Sequence, residues 1–132
     1  MRKIDKLIIH CSATPEGRDY TVADIDRWHK QRGWKGIGYH YVIYRDGSVH
    51  EGRDISVIGA HCTGHNATSI GICYIGGIDA DGNPKDTRTP AQRAALRDLV
   101  ELLQTEYPQA TVHGHREFAN KACPCFDVYD GL

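Results

Sequence analysis

A chain of 132 residues has room for one domain, and a domain of this size buries roughly 65–70% of its unfolded surface, enough for a core without staples. Sixteen Lys and Arg against 17 Asp and Glu leave no broad basic footprint for nucleic acid, and no apolar run approaches the ~20 residues of a membrane helix. The five cysteines are an odd number, which points to thiols and a possible metal ligand and away from a disulfide framework.

The charged start Met1-Arg2-Lys3-Ile4-Asp5-Lys6 leads only into Leu7-Ile8-Ile9, far short of the ~7–15 apolar residues of a signal peptide. The expectation is synthesis in the cytoplasm, with a separate factor delivering the chain to any target beyond the membrane. Lys6 to His10 reads as a buried strand that opens into the loop Cys11-Ser12-Ala13-Thr14-Pro15. Thr21 with Asp24 forms a capping pair, and Val22, Ile25, Trp28 and His29 recur at helical spacing until Gly33 stops the helix.

Tyr39 to Tyr44 and Ser48 to Glu51 are strand-like runs joined by Arg45-Asp46-Gly47, a hairpin signal. A period of two puts Tyr39, Tyr41 and Ile43 on one face, with His40, Val42 and Tyr44 on the other. The segment from Ala60 to Asn66 is too polar for a core element and reads as a loop before a central strand from Ser69 to Ile75. Asp79 to Arg88 is a surface connection, and Thr89-Pro90-Ala91-Gln92 is a capping box with proline at its favoured place. Leu96, Leu99, Val100 and Leu103 then share one helical face until Pro108, and Ala110 to His113 forms a last short strand. The tail from Phe126 to Leu132 is too short for a stable helix of its own. Strands interleaved with two helices predict an α/β fold, a single domain over residues 1–132 with a central mixed β-sheet flanked by helices and active groups at strand ends.

Chemistry gathers between His113 and Pro124, where two imidazoles, the Cys123 thiol and the Lys121 ammonium lie close in sequence. Imidazole and thiolate are the donors zinc takes most readily, and a catalytic zinc keeps three protein ligands and one open position. His10, at the mouth of the first strand, is the obvious remote donor. Spacing alone does not decide between His113 and His115, or between Cys123 and Cys125. Beside such a metal, Lys121 could stabilise a developing oxyanion, and Glu117 could act as a base or orient a ligand.

Taken together, Ile9-His10-Cys11-Ser12-Ala13-Thr14, Gly38-Tyr39-His40-Tyr41, Arg45-Asp46-Gly47, Ser69-Ile70-Gly71-Ile72, Thr89-Pro90-Ala91-Gln92 and Lys121-Ala122-Cys123-Pro124 resemble the zinc N-acetylmuramoyl-L-alanine amidases of type 2. These include the small amidase-type phage lysozymes and share a fold with animal peptidoglycan recognition proteins. The resemblance runs in order over nearly the whole chain. It implies one Zn2+ per chain on His10, His115 and Cys123, with Tyr39 and Lys121 in catalysis and His61 touching the muramyl-peptide.

The implied reaction is endolysin-like cleavage of peptidoglycan between N-acetylmuramic acid and L-alanine, by a monomer that neither binds nucleic acid nor enters the membrane. An alternative is a peptidoglycan-binding module of the same fold without turnover. Members that only bind typically lose the cysteine ligand, which Cys123 retains here. A thiol hydrolase using Cys11 and His10 is disfavoured because adjacent strand residues point to opposite faces. A purely structural zinc site would call for a fourth protein ligand.

Overall fold

The computed structural model describes residues 2–132. Its sheet has β1 (Lys6–Cys11) paired in parallel with the middle strand β5 (Ser69–Tyr74) on one side and with β7 (Thr111–Gly114) on the other. Beyond β5 comes β3 (Tyr41–Ile43), also parallel, and the edge is β4 (Val49–Glu51), antiparallel to β3 through the hairpin at Asp46-Gly47. The order is therefore β4-β3-β5-β1-β7, the mixed sheet that the sequence pattern implies.

Alternation along β1 decides which face does what. Leu7 and Ile9 point into one core, which Ile43, Ile70 and Ile72 share with Leu96, Leu99, Val100 and Leu103 of α2 (Pro90–Glu106). Burying one such side chain stabilises by about 1.5–3 kcal/mol, so truncating the fully buried Leu96 to alanine costs about 2–5 kcal/mol. Ile8 and His10 therefore face the opposite side, where α1 (Val22–Gln31) sets Ile25 against Ile37, Val42 and Ile75. The site lies on this second face, at the carboxyl ends of the parallel strands.

Both helices begin where local chemistry places them. The Asp24 N–H donates to Thr21 Oγ1 and Thr21 N–H donates to Asp24 Oδ2, closing a reciprocal cap on α1. Thr89 and Gln92 do the same for α2, with Pro90 at its first turn.

Three features depart from the sequence pattern. Pairing in β3 starts only at Tyr41, and the chain bends at His40, so the period of two is broken and Tyr39 packs on the Val42 side and not with Tyr41 and Ile43. A second small sheet pairs β2 (Thr14–Pro15) with β6 (Gly77–Ile78), four residues without apolar alternation to announce them. The tail does contain one helical turn, α3 (Val128–Gly131), but its neighbours hold it. Asp127 Oδ1 accepts Tyr129 N–H, Val128 is buried in the core, and the Tyr129 hydroxyl donates to Glu117 Oε1 at 2.6 Å.

Candidate metal centre

β1 and β7 run parallel with Ile9 opposite Gly114, so the next residues, His10 still within β1 and His115 just past the end of β7, stand side by side. Their ring centroids are 4.5 Å apart. The loop after His115 turns back, closed by the Arg116 N–H to the Cys123 carbonyl at 2.7 Å, and delivers Cys123 beside them. One donor atom from each of His10, His115 and Cys123 lies within 4.8 Å of the others. Zinc bonds of ~2.0–2.3 Å set tetrahedral donors roughly 3.3–3.8 Å apart, and His10 Nδ1 already stands 3.9 Å from Cys123 Sγ. The donor set is two imidazoles and a thiol, with no fourth His, Cys, Asp or Glu in the group among the described residues.

The electrostatics suit a cation. Burial, reinforced by His61, His115 and Lys121, holds the His10 pKa well below the usual imidazole range, so its ring is neutral. Burial and Lys121 lower His115 in the same direction. The Cys123 thiol is held below its ordinary value by the neighbouring Cys11 side chain and by the Cys11 backbone N–H, which donates to Sγ at 3.2 Å. Neutral imidazoles and a thiolate are the protonation states that ligation requires, and all three shifts run toward them.

His113 lies within β7, two residues before His115 and so about 6.6 Å back along the chain. Its Nε2 meets Thr111 Oγ1 at 2.6 Å, and its Nδ1 meets Glu117 Oε1 at 2.9 Å. Glu117 also accepts the Gly114 N–H and the Tyr129 hydroxyl, so its carboxylate braces the turn that carries His115 and does not enter the centre. Cys125 turns toward Cys11, with the two sulfurs 3.9 Å apart, and belongs to the other side of the loop.

Around the three donors, the Tyr39 ring packs 5.0 Å from that of His10, and burial raises its hydroxyl pKa well above the ordinary value, keeping the proton available for donation. Lys121 is exposed and lines, with His115, His61, Arg32 and Trp34, an open cleft of about 360 Å³. His61 is only 8% exposed, and its Nδ1 lies 2.9 Å from His10 Nε2.

A site neighbour that the sequence pattern shows only as a packing position is His29. Its ring packs tilted against those of both Trp34 and Tyr39, its Nδ1 accepts the Gly38 N–H at 2.9 Å, and burial takes its pKa down to about 4. A histidine on the apolar face of α1 was the available signal.

The family model described as N-acetylmuramoyl-L-alanine amidase matches residues 1–126. This chain belongs to that amidase family. An endolysin of Klebsiella phage KP32 is 46% identical over 127 residues, spanning 96% of this chain and 84% of the phage protein. Among solved structures, the N-acetylmuramoyl-L-alanine amidase LysC from Clostridium intestinale superposes with a TM-score of 0.83 at 30% identity, over 96% of this chain and 79% of that one. A Drosophila PGRP-LB variant in complex with tracheal cytotoxin gives 0.80 at 28% identity, over 94% and 76%. The alternative of a binding module without turnover gives way to an amidase.

Proposed function

We propose that this peptidoglycan amidase, endolysin-like in kind, hydrolyses the amide between the lactyl carbonyl of N-acetylmuramic acid and L-alanine with one zinc ion held by His10, His115 and Cys123. The observation that carries the reading is the convergence of those three donors, one of which, His115, lines the open cleft, with no fourth ligand in the group among the described residues. Zinc bound there supplies Lewis acidity, polarising the carbonyl and lowering the pKa of a water from 15.7 toward ~7.

The protein's own groups do the rest. Tyr39, with its hydroxyl kept protonated, donates to the oxygen on which charge develops as the carbonyl becomes tetrahedral. Lys121 at the cleft edge supplies a second, cationic donor to the same oxygen. His29 and Gly38 fix the approach of Tyr39, since the imidazole accepts the N–H of the residue before it.

The same reading has the whole chain, 1–132, acting as one amidase domain and as a monomer on muramyl-peptides of the wall, with no nucleic-acid partner and with a separate factor delivering it. Similarity to endolysins supports the wall as the place of action, and among the described residues no helix is long and apolar enough to cross a membrane. The test is incubation with purified peptidoglycan, followed by separate assays for new amino termini and new reducing sugars. New amino termini alone, lost on chelation and restored by Zn2+, are expected. Reducing ends, or activity indifferent to chelation, would overturn the proposal.

A further inference from the structure

His61 resembles a groove residue in sequence, yet its ring has no nitrogen left for a substrate. Nδ1 lies 2.9 Å from His10 Nε2, and Nε2 lies 3.2 Å from Ser69 Oγ. The contact links residues 51 positions apart and is buried. We propose that His61 is a positioning residue for the metal, accepting the Nε2–H of His10 and so leaving the Nδ1 lone pair of His10 for zinc. The inference rests on the zinc site proposed above.

The hydrogen count supports that direction. A neutral His10 carries one ring proton, and the 2.9 Å contact needs a single proton between the two rings. If His61 supplied it, the His10 proton would sit on Nδ1, the nitrogen that faces Cys123 Sγ at 3.9 Å, and would block ligation. If His10 supplies it, Nδ1 is free toward Cys123. The proton of His61 then sits on Nε2, where Ser69 Oγ accepts it. Metal ligands commonly have their second ring nitrogen tied in this way, which fixes the tautomer and the ring plane.

The backbone is arranged for the same contact. Both His61 N–H and Cys62 N–H donate to Asn66 Oδ1 at 2.9 Å, which pins the loop over β5. Below the ring lies Gly71, in the interior of β5, where glycine weakens a strand. A Cβ at Gly71 would come within 2.6 Å of the His61 ring, and one at Gly59 within 2.7 Å. Two glycines thus clear the space through which His61 reaches His10. Neither touches the donors themselves.

The experiment measures Zn2+ affinity by competition with a chromophoric chelator for the parent, His61→Leu, His61→Asn and Gly71→Ala, with melting of each metal-free protein as the control for folding. The leucine variant removes the acceptor and is expected to weaken zinc binding by about 10–100-fold, and Gly71→Ala, which displaces the ring, should do likewise. Asparagine places Oδ1 near the lost Nδ1 and should keep affinity within about threefold of the parent, because the acceptor survives. In zinc-loaded parent and asparagine variant, nitrogen NMR should show the His10 proton on Nε2.

Equal zinc affinity in the parent and the leucine variant overturns the inference, as does a His10 proton on Nδ1. Should the leucine variant not fold, an asparagine variant that folds yet loses zinc as badly as Gly71→Ala also overturns it, because the ring's bulk and not its acceptor would then matter. A parent with no zinc affinity sinks the metal site and this inference together, an outcome distinct from all the others.

Discussion

At His10 the two ring nitrogens have separate partners, and similar division of labour runs through the site. His115 leaves β7 beside His10, whereas His113 is committed to Thr111 and Glu117. His115→Ala should abolish stoichiometric zinc and His113→Ala should retain it, read by elemental analysis of protein purified without chelators; the reverse pattern would show the wrong histidine was chosen. Cys123→Ser should likewise lose zinc and turnover together, and Cys125→Ser, whose sulfur faces Cys11, should lose neither. For Tyr39→Phe and Lys121→Ala the metal should stay while turnover drops on the order of 100–1,000-fold, the usual cost of one oxyanion donor. Parental turnover in both would reduce these residues to packing and surface groups.

Among the elements, what the sequence makes legible is what neighbours in the chain decide. The two capping boxes, the hairpin at Asp46-Gly47, the apolar runs of β1 and β5 and the apolar period of α2 are local patterns, and the structure has all of them. The bend at His40, the β2–β6 pair and the contact of His61 with His10 depend on segments far apart, for which no local pattern exists. Gln92 belongs to both classes. Its Oε1 accepts the Thr89 N–H as the capping pattern implies, but its buried amide also donates to the carbonyls of Ile43 and Ile75, tying α2 to the ends of β3 and β5. At an exposed helix start, glutamate serves this position as well as glutamine. Here Gln92→Glu would keep the cap acceptor, remove two donors and bury a charge, so a loss of about 2–4 kcal/mol is expected from denaturant unfolding. A variant as stable as the parent would show that the cap alone matters.

For the molecule as a whole, the arrangement that exposes a cleft at the strand ends also buries four imidazoles, those of His10, His29, His40 and His61. Burial is the leading cause of a lowered pKa at each, to about 4 at His29 and about 3 at His61. In the unfolded chain these rings return to ~6.5. Between that value and about 4 the unfolded state therefore binds protons that the folded state refuses, and the sign follows: stability is fully present above ~6.5 and declines as pH falls. Each ring that stays neutral contributes at most ~1.4 kcal/mol per pH unit within its window. The lowered carboxylates, such as Asp24 and Asp26, act in the same direction, but only once pH approaches their ordinary value near 4. The urea midpoint of the metal-free protein should thus fall steadily from pH 6.5 to 4.5. His29→Asn, which keeps an acceptor near the Gly38 N–H, should make that fall shallower by one ring's share. Zinc should steepen it, because acid must then also displace the metal from His10 and His115. A midpoint unchanged between pH 7 and 5 would mean that these rings charge as freely in the folded chain as in the unfolded one, which is incompatible with their burial against the sheet.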